Sequence, residues 1–260
     1  MTDQTPDLTY ALAASSNFDR DEVCYAARRS GLYRSEDGGR SWQDAYACLG
    51  LAAPLATLAV ATSGESVFAG VSGGVLRSFD GGATWLTTPL PPPPPVVSGL
   101  VLSPDYARDG TVLAATVEDG VFRSGDRGSQ WESWNFGLLD LDVYSIAISP
   151  AFGDPLGSSG LGSSGDETLY VGTETGIFRS TNGGRAWREV GFDTDLAPVL
   201  SLALSPDYAR DGCLYAGTAS QGLYCSGDRG RTWARIGESA PSLAGDAAQG
   251  DHASGNHLVA

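Results

Sequence analysis

Five times along 260 residues the chain repeats one eight-residue phrase, Ser-x-Asp-x-Gly-x-x-Trp. The copies run from Ser35 to Trp42, Ser78 to Trp85, Ser124 to Trp131, Ser180 to Trp187 and Ser226 to Trp233, and Asn182 stands for the aspartate in the fourth. Their tryptophans are 43, 46, 56 and 46 residues apart. A period of this length marks a chain of stacked units, each too small to bury its apolar surface alone. Within each unit the hydrophobic pattern is that of strands. In the last repeat Leu200, Leu202 and Leu204 alternate with Ser201, Ala203 and Ser205, and three more short runs follow: CLYAGT, GLYCS and TWARIG. Alternation of period two, four times per repeat, predicts a four-stranded antiparallel sheet.

The whole reads as an all-β protein, a five-bladed β-propeller of four-stranded antiparallel blades. The blades fall at about 8–47, 55–90, 97–136, 143–192 and 199–238 of a domain spanning 1–238, followed by a polar tail, 239–260, predicted to be disordered. All units are in phase and none borrows a strand from the far terminus, so ring closure is expected to rest on packing of blade five against blade one; the alternative is an open arc completed by dimerisation. Second strands carry an aromatic in four blades (Tyr25, Phe68, Tyr170 and Tyr215), with Ala114 read as the exception, and these are expected to be core between blades.

The repeated phrase has a structural explanation in each residue. Ser35, Ser78, Ser124, Ser180 and Ser226, with Asp37, Asp80, Asp126, Asn182 and Asp228, are short polar side chains suited to bonding turn backbone. Gly39, Gly82, Gly128, Gly184 and Gly230 supply positive φ, and Trp42, Trp85, Trp131, Trp187 and Trp233 pack back over the blade. The phrase resembles the Asp-box, or BNR repeat, of sialidases, sortilin-type receptors, xyloglucanases and photosystem II assembly propellers, and the resemblance covers nearly the whole chain. It implies that the boxes lie away from the ligand face and act as staples. A second repeated motif, SPDYARDG, occurs at Ser103 to Gly110 and Ser205 to Gly212, with degenerate versions at Ser15 and Ser149. It is expected to form an Asp-Arg and aromatic clasp. In the fourth repeat it swells into a Gly/Ser-rich insertion from Asp154 to Glu167, read as flexible.

Composition removes whole classes of chemistry. All 16 basic residues are arginine, so there is no Schiff-base or P-loop lysine. The only histidines, His252 and His257, lie in the tail, which leaves the repeats without a Ser-His-Asp triad or a histidine metal ligand. No metal site and no cofactor is expected. A net charge of −15 disfavours nucleic acid and anionic membranes as partners. There is no apolar run long enough for a membrane-spanning helix, and MTDQTPDLTY has neither a basic nor an apolar leader region, which predicts a cytoplasmic protein. Cys24, Cys48, Cys213 and Cys225 form no CxxC and are expected to be reduced, buried thiols, although Cys24 and Cys213 would be neighbours in a closed ring.

Sorting charges by loop gives the candidate site. Arg20, Arg40, Arg108, Arg127, Arg185, Arg210, Arg229 and Arg231 fall on the box face, whereas only Arg28 and Arg29 fall on the opposite, inter-blade face. That face collects acids and aromatics instead: Tyr46, Glu118, Asp119, Trp134, Phe136, Asp140, Asp142, Phe192 and Asp193 are the predicted ligand-binding residues. Sialidases, which this repeat resembles, use three arginines from different blades and an FRIP motif; here the inter-blade face offers arginines from one blade only, and the nearest match to FRIP is the repeated FRS or YRS. An acidic, aromatic mouth suits a protein or peptide, preferably a basic one, and the expectation is a non-catalytic binding propeller. The alternative is a glycoside hydrolase or lectin for a neutral glycan, with Asp140 or Asp142 opposite Asp193 or Asp195 as paired carboxylates and Trp134 as a sugar-stacking platform.

Overall fold

The structure, a computed structural model, describes residues 6–153 and 166–237. The expectations for the insertion from Asp154 and for the tail from residue 239 therefore lie outside the described residues, apart from Asp166 and Glu167. Five four-stranded antiparallel sheets follow one another in chain order, as the five-bladed reading requires. Blade one comprises β1 (Thr9–Ala14), β2 (Cys24–Arg28), β3 (Gly31–Ser35) and β4 (Gln43–Asp44). Blade two comprises β5 (Ala59–Ser63), β6 (Ser66–Val71), β7 (Gly74–Ser78) and β8 (Leu86–Pro89). Blade three has β9 (Val96–Leu102), β10 (Val112–Val117), β11 (Gly120–Ser124) and β12 (Glu132–Ser133). Blade four has β13 (Val143–Ile148), β14 (Leu169–Thr173), β15 (Ile177–Ser180) and β16 (Arg188–Glu189). Blade five has β17 (Val199–Leu204), β18 (Leu214–Thr218), β19 (Leu223–Ser226) and β20 (Ala234–Arg235).

The boxes form the turn between third and fourth strands. In each, the serine hydroxyl donates to the Asp or Asn side chain at 2.7–2.9 Å and accepts the amide of the box glycine at 2.8–2.9 Å. The acid's other oxygen takes a hydroxyl from Ser41, Thr84 or Thr232 in boxes one, two and five. Box four has Ala186 there, so its Asn182 accepts no second hydroxyl, and the Ala186 amide suffices. The box glycines all have positive φ, from 76° to 96°.

The cores lie between blades. One cluster joins Tyr25, Ala27 and Leu32 to Val60, Val67 and Leu76 of the next blade. Three others join blade two to three, three to four and four to five. Sheet register corrects one reading: the position of Tyr25, Phe68, Tyr170 and Tyr215 is filled in blade three by Leu113, opposite Arg123, not by Ala114. Tyr25, Phe68, Leu113 and Tyr170 are buried against the following blade. Tyr170 crosses the seam with its hydroxyl, 2.7 Å from that of Tyr208 and 2.9 Å from the carbonyl of Arg229.

The SPDYARDG loops each hold one helical turn, Phe18–Asp21, Tyr106–Asp109 or Tyr208–Asp211. The clasp is chiefly Ser to Asp: Ser15, Ser103 and Ser205 donate to Asp21, Asp109 and Asp211 at 2.6–2.7 Å. Ser149 makes the same bond to Asp166, which returns the fourth repeat to register after its insertion. Arginine contributes the lesser pairs Arg108–Asp105 and Arg210–Asp207.

Expected closure of blade five on blade one is not found. Among the described residues four seams are packed, and no fifth core joins the ends. Over the described residues the propeller is an open arc. All four thiols are free, none is fully buried, and Cys48 is exposed.

The boxes make stability acid-sensitive. The Thr84 hydroxyl and its neighbours hold Asp80 down at about 2, and at Asp228 the bonds from Thr232 outweigh burial to the same result. Carboxylates titrate near 4 when unfolded, so this stabilisation is complete above about pH 4 and lost as pH falls towards 2. Urea unfolding should show a steep loss of stability across that window, and Asp80→Asn should flatten the loss; an unchanged slope in the variant contradicts the assignment.

Candidate functional site

The inter-blade face is most strongly built where the loop from β12 to β13, residues 134–142, crosses to meet two hairpin turns. Asp140 accepts the amide and hydroxyl of Thr175, at 2.8 and 2.7 Å, with one oxygen and the amide of Asp142 at 3.0 Å with the other. Asp142 accepts the amide of Glu118 at 3.0 Å. Glu118 has φ of 79° at the tip of the β10–β11 hairpin, and the bond from Asp142 holds it there. Glu174, on the β14–β15 turn, bonds Asp142 through its amide and accepts the Tyr144 hydroxyl at 2.8 Å. One acidic network thus ties blade three to blade four across the mouth.

The electrostatics follow from these bonds. Burial pushes the Asp140 carboxyl up, but the Thr175 hydroxyl and the surrounding amides outweigh it and leave its pKa lowered. The Glu174 carboxylate raises Tyr144 to about 12, so its phenol stays a neutral donor. Asp140 is an ionised acceptor at neutral pH and a poor proton donor.

Beside the network lies an apolar surface that the sequence reading only touched. Phe136 is 80% exposed and Leu139 83%, with Leu141 exposed next to them. They are held rigidly: the Phe136 carbonyl accepts the Trp187 amide at 2.9 Å, and the Leu141 carbonyl accepts the Gly120 amide at 3.0 Å. Leu139, Leu141, Tyr144 and Glu174 were absent from the predicted site. The signal available was the run FGLLDLD, too apolar for a loop of solvated charge.

Three predicted ligand residues have other work. Tyr46 is buried, its hydroxyl 3.0 Å from that of Thr57 and its ring edge-on to Trp85. Phe192 is buried the same way against Trp233 and Tyr224. Both are the residue on which the next blade's box tryptophan rests, a core role that their loop position in sequence disguised. Trp134 is not a free stacking platform: the guanidinium groups of Arg123 and Arg185 sit over its ring, 4.5 and 5.5 Å from its centroid. Asp193 accepts the Asp195 amide at 3.0 Å and caps the short turn Thr194–Leu196. Among the described residues this pair shares no hydrogen-bond partner with Asp140 and Asp142. Asp119 flanks the network; its carbonyl accepts the Asn135 amide.

No family model matches this chain. A xyloglucanase from Hypocrea jecorina is 30% identical over 213 residues, 78% of this chain and 22% of that protein. A Paenibacillus xyloglucanase is 31% identical over 185 residues, 62% of this chain and 17% of the other. The chain therefore spans about a fifth of the length of these relatives. Among solved structures, the GH74 xyloglucanase of Xanthomonas campestris matches with a TM-score of 0.65 at 18% identity, over 89% of this chain and 38% of that one. YCF48 bound to D1 peptide matches with 0.60 at 17%, over 89% and 67%. At those identities the structures establish a shared propeller fold. The curated relatives correct the expectation of a non-catalytic propeller for a protein or peptide, because both are named xyloglucanases. No helix among the described residues is long and apolar enough to cross a membrane.

Replacing Phe136 or Leu139 by serine should leave thermal stability unchanged, since neither side chain is packed. Tyr46→Ala and Phe192→Ala should each cost about 3–5 kcal/mol, as deletion of a core aromatic does. Urea titration of the four variants checks both halves.

Proposed function

We propose that the protein acts on a neutral β-glucan as a glycoside hydrolase of the xyloglucanase kind. The observation that carries this is the 30% identity to a xyloglucanase along 78% of the chain. The chemistry of the inter-blade face supports it. A pyranose ring offers an apolar C–H face and a rim of hydroxyls; Phe136, Leu139 and Leu141 suit the first, and the Glu118, Asp119 and Glu174 carboxylates accept from the second. A chain with 31 acidic against 16 basic residues repels an anionic polysaccharide and tolerates a neutral one.

Hydrolysis of a glycosidic bond takes one carboxylate and one carboxylic acid. Asp140, with its lowered pKa, fits the ionised role. Asp195 is the candidate partner carboxyl, because Asp193 already spends an oxygen on the Asp195 amide.

The test is reducing-end release from xyloglucan, with affinity electrophoresis in the same polysaccharide to measure binding. Wild type should be retarded in the gel and release reducing ends. Phe136→Ala should lose the retardation while staying folded, and Asp195→Asn should bind yet lose about 10²–10⁴-fold in rate, the usual worth of a general acid. Folded wild-type protein that neither binds nor cleaves a neutral glucan overturns the proposal.

A further inference from the structure

The two ends of the arc are unfinished, and register shows by how much. In β2 and its counterparts, one position per blade packs into the following blade: Tyr25, Phe68, Leu113 and Tyr170 are buried, but Tyr215 of blade five is 37% exposed. The third strand repeats the contrast. Leu32, Val75, Val121 and Ile177 are fully buried, whereas Leu223, paired with Gly217 as Ile177 is with Gly172, is 44% exposed.

Blade one shows the converse on its opposite face. Val60, Leu100 and Ile146 are buried against the preceding blade, and the equivalent Leu12 is 69% exposed. Cys24 occupies the place of Val67, Val112, Leu169 and Leu214, all fully buried, and is only partly covered itself. At every packed seam these two positions meet: Tyr25 shares a core with Val67, Phe68 with Val112, Leu113 with Leu169, and Tyr170 with Leu214. Blade five thus presents the half-seam that blade one is made to receive.

We propose that the arc docks head to tail with a second copy of itself, the blade-five face of one copy seated on the blade-one face of the other. The longest stretch outside the described residues, 238–260, has 23 residues, about half a repeat, and contains no box. A second copy carries both faces in register and covers both ends. Such a contact is heterologous, and it closes into a ring of copies when the rotation between them divides a full turn.

The seam between copies differs from the internal ones in one respect. Arg77 reaches across its seam to the Arg127 carbonyl and the Ser129 hydroxyl, at 3.0 and 2.6 Å, and Arg123 to the Gly183 carbonyl. Blade five has Cys225 at that position, opposite Tyr215. The joint lacks the arginine tie and is weaker, so the assembly dissociates on dilution. Cys213, two residues before Tyr215 on the same strand face, adds a second thiol. Docking sets Cys213 and Cys225 of one copy beside Cys24 of the other.

Light scattering of the 260-residue protein over a range of concentrations tests this. The expected mass rises with concentration to at least twice 26.9 kDa. Leu12→Asp and Tyr215→Asp each change an exposed residue, and each should be monomeric with an unaltered circular dichroism spectrum. An equimolar mixture of the two retains one intact joint and should return to twice the monomer mass. In a Cys48→Ser, Cys225→Ser background, which leaves Cys24 and Cys213 as the thiols, a short bismaleimide should link two copies, and Cys24→Ser should abolish the link. A monomer at all concentrations, an intramolecular cross-link, an assembly indifferent to both substitutions, or a mixture that stays monomeric would each overturn the proposal.

Discussion

Everything in this molecule depends on the seam between consecutive blades. A four-stranded sheet of about 45 residues has two faces and cannot bury either by itself. Each of the three middle blades therefore spends one face on the blade before it and one on the blade after. The Asp-box serves that need indirectly. Its serine and acid consume the polar groups of a tight turn, which leaves the tryptophan free to lean across the seam. Trp85 and Trp187 show the result: their ring N–H groups donate to the Ala45 and Trp134 carbonyls of the preceding blade's trailing loop, at 2.9 and 2.7 Å.

Once the seam is the unit, the unevenness of the five repeats becomes intelligible. Among the described residues no blade precedes Trp42, whose ring N–H bonds its own Gly39 carbonyl and which stays at the surface. Phe18 is half-covered where Tyr106 and Tyr208, its counterparts in the helical turns, are buried against Phe68 and Tyr170. The same repeat that makes the middle of the arc tightly packed makes its two ends apolar and incomplete.

The fold was legible because the box and the period-two alternation are local signals that repeat, so each copy corrects the reading of the others. The site was legible only in part. Loop position told which residues lie between blades, but not which way they point. Tyr46 and Phe192 sit in inter-blade loops and turn inward under the next tryptophan; Trp134 turns towards two arginines on the box side. Those directions are set largely by Trp85, Trp233 and Arg185, some 40 to 50 positions away, which a strand pattern does not encode. Closure failed for a related reason. Alternation predicts that a face is apolar, not that another face of the same chain will be within reach of it.

The acidic network at the mouth shows why a seam-built scaffold is suited to presenting a site. Asp140 and Asp142 are expected by charge-sorting to be free acids, yet both spend their oxygens fixing hairpin turns of two different blades. That use makes the loop stiff, and the stiffness is what lets Phe136, Leu139 and Leu141 remain exposed without collapsing onto the blades beneath. A loop that merely connected β12 to β13 would fold three such side chains inward, because each buried methylene gains close to 0.8 kcal/mol. Keeping them outward requires the backbone to be held by other bonds, here the Trp187 amide, the Gly120 amide and the Thr175 turn. The carboxylates therefore act first as the frame of an apolar platform. Any role they take towards a glycan is exercised with whatever acceptor capacity that frame leaves open.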